Sequence, residues 1–140
     1  MGNACGTVGI IHTVLNLRDK FALEKDKFLG QFYEKTMLLT PEQRAEALED
    51  DDEIEQAHEA AASSGDSKQA EDLSSVNLHF VALVNVNGTL YELDGRKEFP
   101  IPHGPTSEET MLNDAAGVVK IFMERDPTNL MFTICALSRV

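Results

Sequence analysis

Three residues of this chain, Cys5, His79 and Asp94, have the types that nucleophilic acyl transfer needs. A thiolate attacks the acyl carbon, an imidazole moves the proton, and a carboxylate fixes the imidazole tautomer. One local pattern relates two of them. Leu78-His79-Phe80-Val81-Ala82-Leu83-Val84-Asn85-Val86 reads as a buried strand. Asn87-Gly88 is the favoured two-residue hairpin turn, and Thr89-Leu90-Tyr91-Glu92-Leu93-Asp94 is the return strand. With Asn87 and Gly88 as the loop, Val86 opposes Thr89, Val81 opposes Asp94 and His79 opposes Arg96. Side chains alternate between faces, so His79 and Asp94 share one face as diagonal neighbours. Their β-carbons are expected about 7–8 Å apart or somewhat less, which a carboxylate and an imidazole can bridge.

Cys5 lies at the start of an apolar segment containing Val8, Ile10, Ile11, Val14, Leu15 and Leu17. This reads as a buried helix beginning near Cys5, with Asn3 as a cap. A helix N-terminus beside an imidazolium lowers a thiol pKa. Gly6 and Gly9 are poor helix formers, which suggests a neighbour that needs small residues. A lone cysteine is nevertheless more often a small packed hydrophobe than a nucleophile. Spacing alone does not bring Cys5 to His79.

The elements that must position these residues follow from punctuation. Residues 21–38 read as a second helix. Thr40-Pro41-Glu42-Gln43 is a capping box with Pro in the first turn, opening a helix through Leu48. The stretch after Glu49 is acidic, then alanine-rich, then small and polar. It predicts a partly helical first half and a mobile loop over residues 62–75. Pro100, Pro102, Gly104 and Pro105 mark a loop. Thr106 with Glu109 makes a second capping box, for a helix to about Arg125 that Asp126-Pro127 ends. Residues 130–138 read as a last strand. Among the remaining candidates, His12 reads as a satisfied core residue and His58 as exposed. His103 lies in the proline-rich loop with no evident acidic partner. Cys135 reads as packed core, and the acidic run around Asp51 as a solvated face or connector.

A length of 140 residues suits one domain, and 42% apolar with 26% charged residues is ordinary for a soluble protein. The net charge of −12 argues against nucleic acid and anionic membranes as partners and permits a basic protein partner. Two cysteines make neither a disulfide framework nor a zinc motif, so no metal or other cofactor is expected and a reducing compartment is. No apolar run reaches membrane-spanning length.

Asn3-Ala4-Cys5-Gly6-Thr7-Val8-Gly9 with Ile11-His12 resembles the nucleophile motif of the ubiquitin carboxyl-terminal hydrolases. Leu78-His79-Phe80 and Tyr91-Glu92-Leu93-Asp94-Gly95-Arg96 resemble that family's histidine and aspartate motifs, in the same order. Phe122-Met123-Glu124-Arg125-Asp126-Pro127 and Ala136-Leu137-Ser138 match as well, and the resemblance is to the smaller, single-domain branch. It implies an α+β, papain-like cysteine-protease-type fold, a central antiparallel sheet flanked by helices. It implies Cys5 as nucleophile, His79 as general base and acid, and Asp94 as its orienter. The implied activity is cleavage of small esters, thioesters and amides from the C-terminal glycine of ubiquitin, by a monomer in the cytoplasm and nucleus. Residues 62–75 match the crossover loop over the active site, with Ser64, Gly65, Asp66 and Ser67 as substrate contacts. Leu130 and Phe132 correspond to part of the ubiquitin-binding surface.

The family's oxyanion glutamine would fall before Met1, as would a long N-terminal segment of the family domain. The expectation is therefore a C-terminal portion of the catalytic domain. Three readings stay open: a working hydrolase, a catalytically weak or inactive member that only binds ubiquitin or does not fold stably, and an unrelated α+β domain. The last requires Cys5 and His79 to lie far apart.

Overall fold

The computed structural model of the chain describes residues 4–64 and 78–138. Among these residues four helices precede a three-stranded antiparallel sheet, and a fifth follows it: α1 (Cys5–Asn16), α2 (Phe28–Thr36), α3 (Pro41–Glu49), α4 (Asp52–Ser64), β1 (Ala82–Val86), β2 (Thr89–Leu93), β3 (Ile101–Pro105) and α5 (Met111–Arg125). The sheet order is β1-β2-β3. This is the expected α+β arrangement of an antiparallel sheet with helices around it.

The hairpin forms in the expected register, with Val86 opposite Thr89 and Ala82 opposite Leu93. Asn87 (φ 51°) and Gly88 (φ 79°) both take positive φ, the geometry that twists a two-residue turn to match its strands. The Asn85 side chain accepts the Gly88 N–H at 3.0 Å. Residues 78–81 do not join the ladder. β2 stops at Leu93, where a turn closed by Lys97 N–H donating to Asp94 C=O at 3.0 Å removes their partner.

The proline-rich segment is a strand, not a loop. β3 pairs with β2, Tyr91 facing Pro102 and Thr89 facing Pro105, with a register irregularity between Leu90 and Tyr91. Proline lacks a donor, so edge strands and bulges are where a sheet accepts it. Residues 130–138 form neither helix nor strand, and Leu130 is 82% exposed. A strand needs a neighbour, and neither β1 nor β3 pairs with this segment. Cys135 is accordingly exposed rather than packed.

Among the helices, α3 has its full capping box. Thr40 Oγ1 accepts from Gln43 N–H at 3.3 Å, and Gln43 Oε1 accepts from Thr40 N–H at 3.0 Å. α2 is shorter than expected, and the chain before it folds back against the helix: a β-carbon on Gly30 would lie 2.2 Å from Glu24 C=O. Asp51 Oδ1 accepts from the N–H groups of Glu53 and Ile54, so one acidic residue caps α4. α4 runs to Ser64, which makes residues 62–64 helical rather than loop. The rest of the stretch 62–75, with Gly65, Asp66 and Ser67, lies outside the described residues. The Thr106–Glu109 box does not form. Thr106 Oγ1 donates to Asp114 instead, and Ser107 with Thr110 makes reciprocal 3.1 Å bonds ahead of α5.

α1 is half-buried rather than buried, with Ile11 inside and Ile10 63% exposed. Its first residue follows Ala4, which offers no side-chain cap, and Asn3 lies outside the described residues. Ile11 packs with Phe32 of α2 and Ile54 of α4, flanked by Leu15, Phe28, Leu29 and Leu48. The same helix packs on β1, so it joins the helical cluster to the sheet. The sheet buries Ala82 and Val84 on one face and Leu90 and Glu92 on the other. Glu92 is a buried charge, with Lys97 Nζ 2.5 Å from Oε1 and His103 Nε2 2.8 Å from Oε2. Burial pushes its carboxyl up. The bonds and charges of Lys97 and His103 outweigh this and hold it below its ordinary value of 4.5.

Two glycine substitutions should act with opposite sign. Gly30→Ala meets a backbone carbonyl at 2.2 Å and should lower unfolding stability by about 2–3 kcal/mol. Gly117→Ala in α5 meets nothing within 4 Å and should raise stability by about 0.5–1 kcal/mol. Urea unfolding of both variants checks this. Glu92, with its carboxyl depressed, stabilises the fold fully above pH 4.5, and this is lost as pH falls through the lower folded value. The urea midpoint of the parent chain should fall on acidification more steeply than that of Glu92→Gln.

Candidate functional site

Asp94 follows the last residue of β2, where the chain leaves the sheet. Its Oδ1 receives two bonds, from Arg96 N–H at 2.9 Å and from His79 Nε2 at 2.6 Å. His79 and Asp94 are therefore in direct contact, although the strand pairing expected to bring them together does not reach residues 78–81. Both side chains are largely buried, His79 at 19% and Asp94 at 9% exposed. Burial pushes the Asp94 carboxyl up. The Arg96 N–H, the His79 bond and the charges of His79 and Lys97 outweigh this and leave it below its ordinary value. An ionised Asp94 accepts only, so His79 carries its proton on Nε2 when neutral. Nδ1 is then the acceptor. It is buried and has no hydrogen-bond partner among the described residues.

Cys5 and His79 line the same open cleft, of about 260 Å³, together with Ala4, Val8, Gly95 and Arg96. Cys5 is half-buried and not in a disulfide. It opens α1, whose first-turn N–H groups point out of the helix end with partial positive charge. The long-range arrangement rests on α1. Ile11 holds one side of it in the helical cluster, and a β-carbon on Gly95 would come 3.3 Å from Val8 on the other. Gly6 and Gly9 both face Phe80. Added β-carbons there would make ordinary contacts of 3.7–3.8 Å, so these two glycines relieve no clash.

His12, two turns beyond Cys5, is only partly the satisfied core residue expected. It hydrogen-bonds the Leu93 backbone, while Nδ1 is buried without a partner among the described residues. Burial holds it below its ordinary value of 6.5, against the opposing effects of the Leu93 bond and the Asp94 charge. His103 does have an acidic partner, Glu92. That pairing was hidden while residues 100–105 were read as a loop. Glu92 and Lys97 also escaped notice, although Glu92 shares a face with Asp94 by simple alternation.

The other candidate residues lie elsewhere. Ser64 ends α4. Leu130 and Phe132 follow α5 in the unpaired segment, 82% and 36% exposed, and neither lines the cleft. A second cleft of about 250 Å³ lies between α2 and the start of α4 and contains no cysteine or histidine. Among the described residues no group of three or more His, Cys, Asp and Glu is placed to hold a metal ion. No helix among them is long and apolar enough to cross a membrane.

Comparison with known proteins agrees with the cleft. Residues 1–124 match the family model described as ubiquitin carboxyl-terminal hydrolase, family 1. The chain is 52% identical over 137 residues to a ubiquitin carboxyl-terminal hydrolase of Drosophila melanogaster, covering 97% of this chain and 59% of that protein. It is 43% identical over 139 residues to isozyme L1 of Homo sapiens, covering 99% and 61%. The chain thus spans about three fifths of the length of the curated relatives it matches. Among solved structures, the UCH37 catalytic domain of Trichinella spiralis bound to ubiquitin vinyl methyl ester has a similar fold. The TM-score is 0.68 at 24% identity, over 95% of this chain and 57% of that one. An unrelated domain is ruled out by these matches, and Cys5 and His79 line one cleft. The chain belongs to the ubiquitin carboxyl-terminal hydrolase family.

Proposed function

We propose that the cleft hydrolyses acyl bonds at the C-terminal glycine of ubiquitin, with Cys5 as nucleophile, His79 as proton carrier and Asp94 as its orienter. The observation that carries this reading is the 2.6 Å His79–Asp94 bond in the cleft that also contains Cys5. Family membership, and the ubiquitin derivative bound to the Trichinella neighbour, support ubiquitin as the acyl donor.

Asp94 holds His79 Nε2–H, so Nδ1 takes the Cys5 proton. The thiolate Sγ adds to the glycine carbonyl carbon, and the carbonyl π pair moves onto oxygen. The Cys5 backbone N–H, at the start of α1, donates to that oxyanion. On collapse the C–O, C–S or C–N bond to the leaving group breaks, and His79 returns the proton to it. Water then attacks the thioester with His79 as base, releasing ubiquitin with a free carboxylate and restoring the thiol. The chain's charge of −12 suits a basic protein partner. Leu130 and Phe132, exposed apolar residues outside the cleft, contact the body of ubiquitin. The enzyme acts as a monomer in the cytoplasm and nucleus.

The test is covalent trapping of the full chain by ubiquitin carrying a thiol-reactive group at its C-terminus, read by mass. One adduct per chain is expected, abolished in Cys5→Ala. No adduct from a cooperatively unfolding parent chain would reject the reading. His79→Asn should slow trapping by about 10²–10⁴-fold, the usual range for a lost general base. Replacing Leu130 and Phe132 by Ala should weaken trapping by ubiquitin but leave alkylation of Cys5 by iodoacetamide unchanged. Equal losses in both reactions would remove these two residues from the ubiquitin surface.

A further inference from the structure

Five charged or chargeable groups form an alternating line behind the cleft. His103 Nε2 lies 2.8 Å from Glu92 Oε2, and Glu92 Oε1 lies 2.5 Å from Lys97 Nζ. Lys97 Nζ lies 4.0 Å from Asp94 Oδ2, and Asp94 Oδ1 lies 2.6 Å from His79 Nε2. The two carboxylates sit two residues apart on one face of β2 and its continuation, and both are largely buried. Lys97 stands between them. Its distance to Asp94 is too long for a direct hydrogen bond, so it acts there as a charge. Its position is set by Glu92, which is 3% exposed and cannot swing away.

We propose that Lys97, tethered by buried Glu92, is a positioning residue for the Asp94–His79 pair, setting how strongly Asp94 holds an imidazolium at His79. The proposal rests on the proposed role of that pair. A positive charge behind Asp94 offsets part of its field and weakens its hold on a protonated ring. A negative charge at Glu92 does the opposite. Cys5 on α1 and Arg96 in the turn after β2 line the cleft with His79, and His12 on α1 lies within reach of the Asp94 charge. Substitution at Glu92 or Lys97 alters none of them, and in Glu92→Gln the amide oxygen can still accept from Lys97, which keeps the ammonium in place while the negative charge goes.

The two substitutions should therefore act in opposite directions. This separates a charge effect from loosening of the fold, which would move both the same way. The readout is the rate of Cys5 alkylation by iodoacetamide against pH, in the full chain and without ubiquitin. A thiolate paired with an imidazolium gives a profile with an upper limb where the imidazolium loses its proton. In Lys97→Met that limb should move to higher pH by roughly half a unit, the size expected of one charge across part-solvated protein. In Glu92→Gln it should move to lower pH. Lys97→Arg, which keeps the charge, should retain the parent profile. Shifts of one sign in both variants, or no shift in Lys97→Met, would overturn the proposal. So would a parent profile with the single rise of an ordinary thiol, because no pair would exist to bias. Because the readout needs no ubiquitin, a chain that alkylates as expected yet fails to trap ubiquitin rejects the substrate and leaves the role of Lys97 standing.

Discussion

Asp94 Oδ1 accepts from the Arg96 backbone and from His79 at once, and the site depends on that shared acceptor. The Arg96 bond belongs to the turn that ends β2, so the carboxylate is oriented by backbone before it meets the histidine. His79 lies on a segment that has left the ladder, residues 78–81, and the Asp94 bond replaces the strand pairing they lack. β2 ends at Leu93, so the contact is made outside the ladder, by side chains whose carboxylate the Arg96 N–H already orients.

The nucleophile reaches this pair by a different route. α1 has one well-buried residue, Ile11, and is anchored through it to α2 and α4. Its other side meets β1 and the turn carrying Gly95. The helix is thus a wedge between two small cores, with Cys5 at the tip. Neither core is large, and a loss in either would tilt the wedge. A tilt of α1 moves Cys5 relative to His79 without touching either residue, and placements off by about an ångström are costly to catalysis.

What was legible in the sequence divides by the range of the interaction. The hairpin and its register over residues 82–86 and 89–93 follow from Asn87-Gly88 and alternation, because both are local, while His79 meets Asp94 as expected but outside the ladder. The capping box of α3 is likewise local, and Thr40 and Gln43 close it as expected. The failures involve residues whose partners are remote or absent. Residues 100–105 read as loop because proline opposes strand formation, but an edge position next to a bulge removes the objection. Residues 130–138 read as strand from their composition, yet composition supplies no partner, and unpaired they expose Leu130 and Cys135. The placement of Cys5 beside His79 was not derivable from spacing. It came from motif resemblance, and the geometry then supplied the physical reason.

The buried charges around Glu92 raise the question of why the fold keeps them. A buried ion pair rarely adds stability over apolar residues of the same size, because desolvating two charges offsets their attraction. Leu90, two residues earlier on the same face of β2, is buried and apolar. Glu92 therefore has little to recommend it as packing. It does hold Lys97 in place, and through His103 it ties β2 to a ring that meets Phe122 of α5 edge-on, with centroids 6.5 Å apart. A chain of −12 net charge presents acidic groups widely, yet here Lys97 stands between Glu92 and Asp94. The ammonium offsets part of the charge of both carboxylates. The groups nearest the His79–Asp94 pair are thus ones the fold holds still, with Glu92 3% exposed and Lys97 bonded to it.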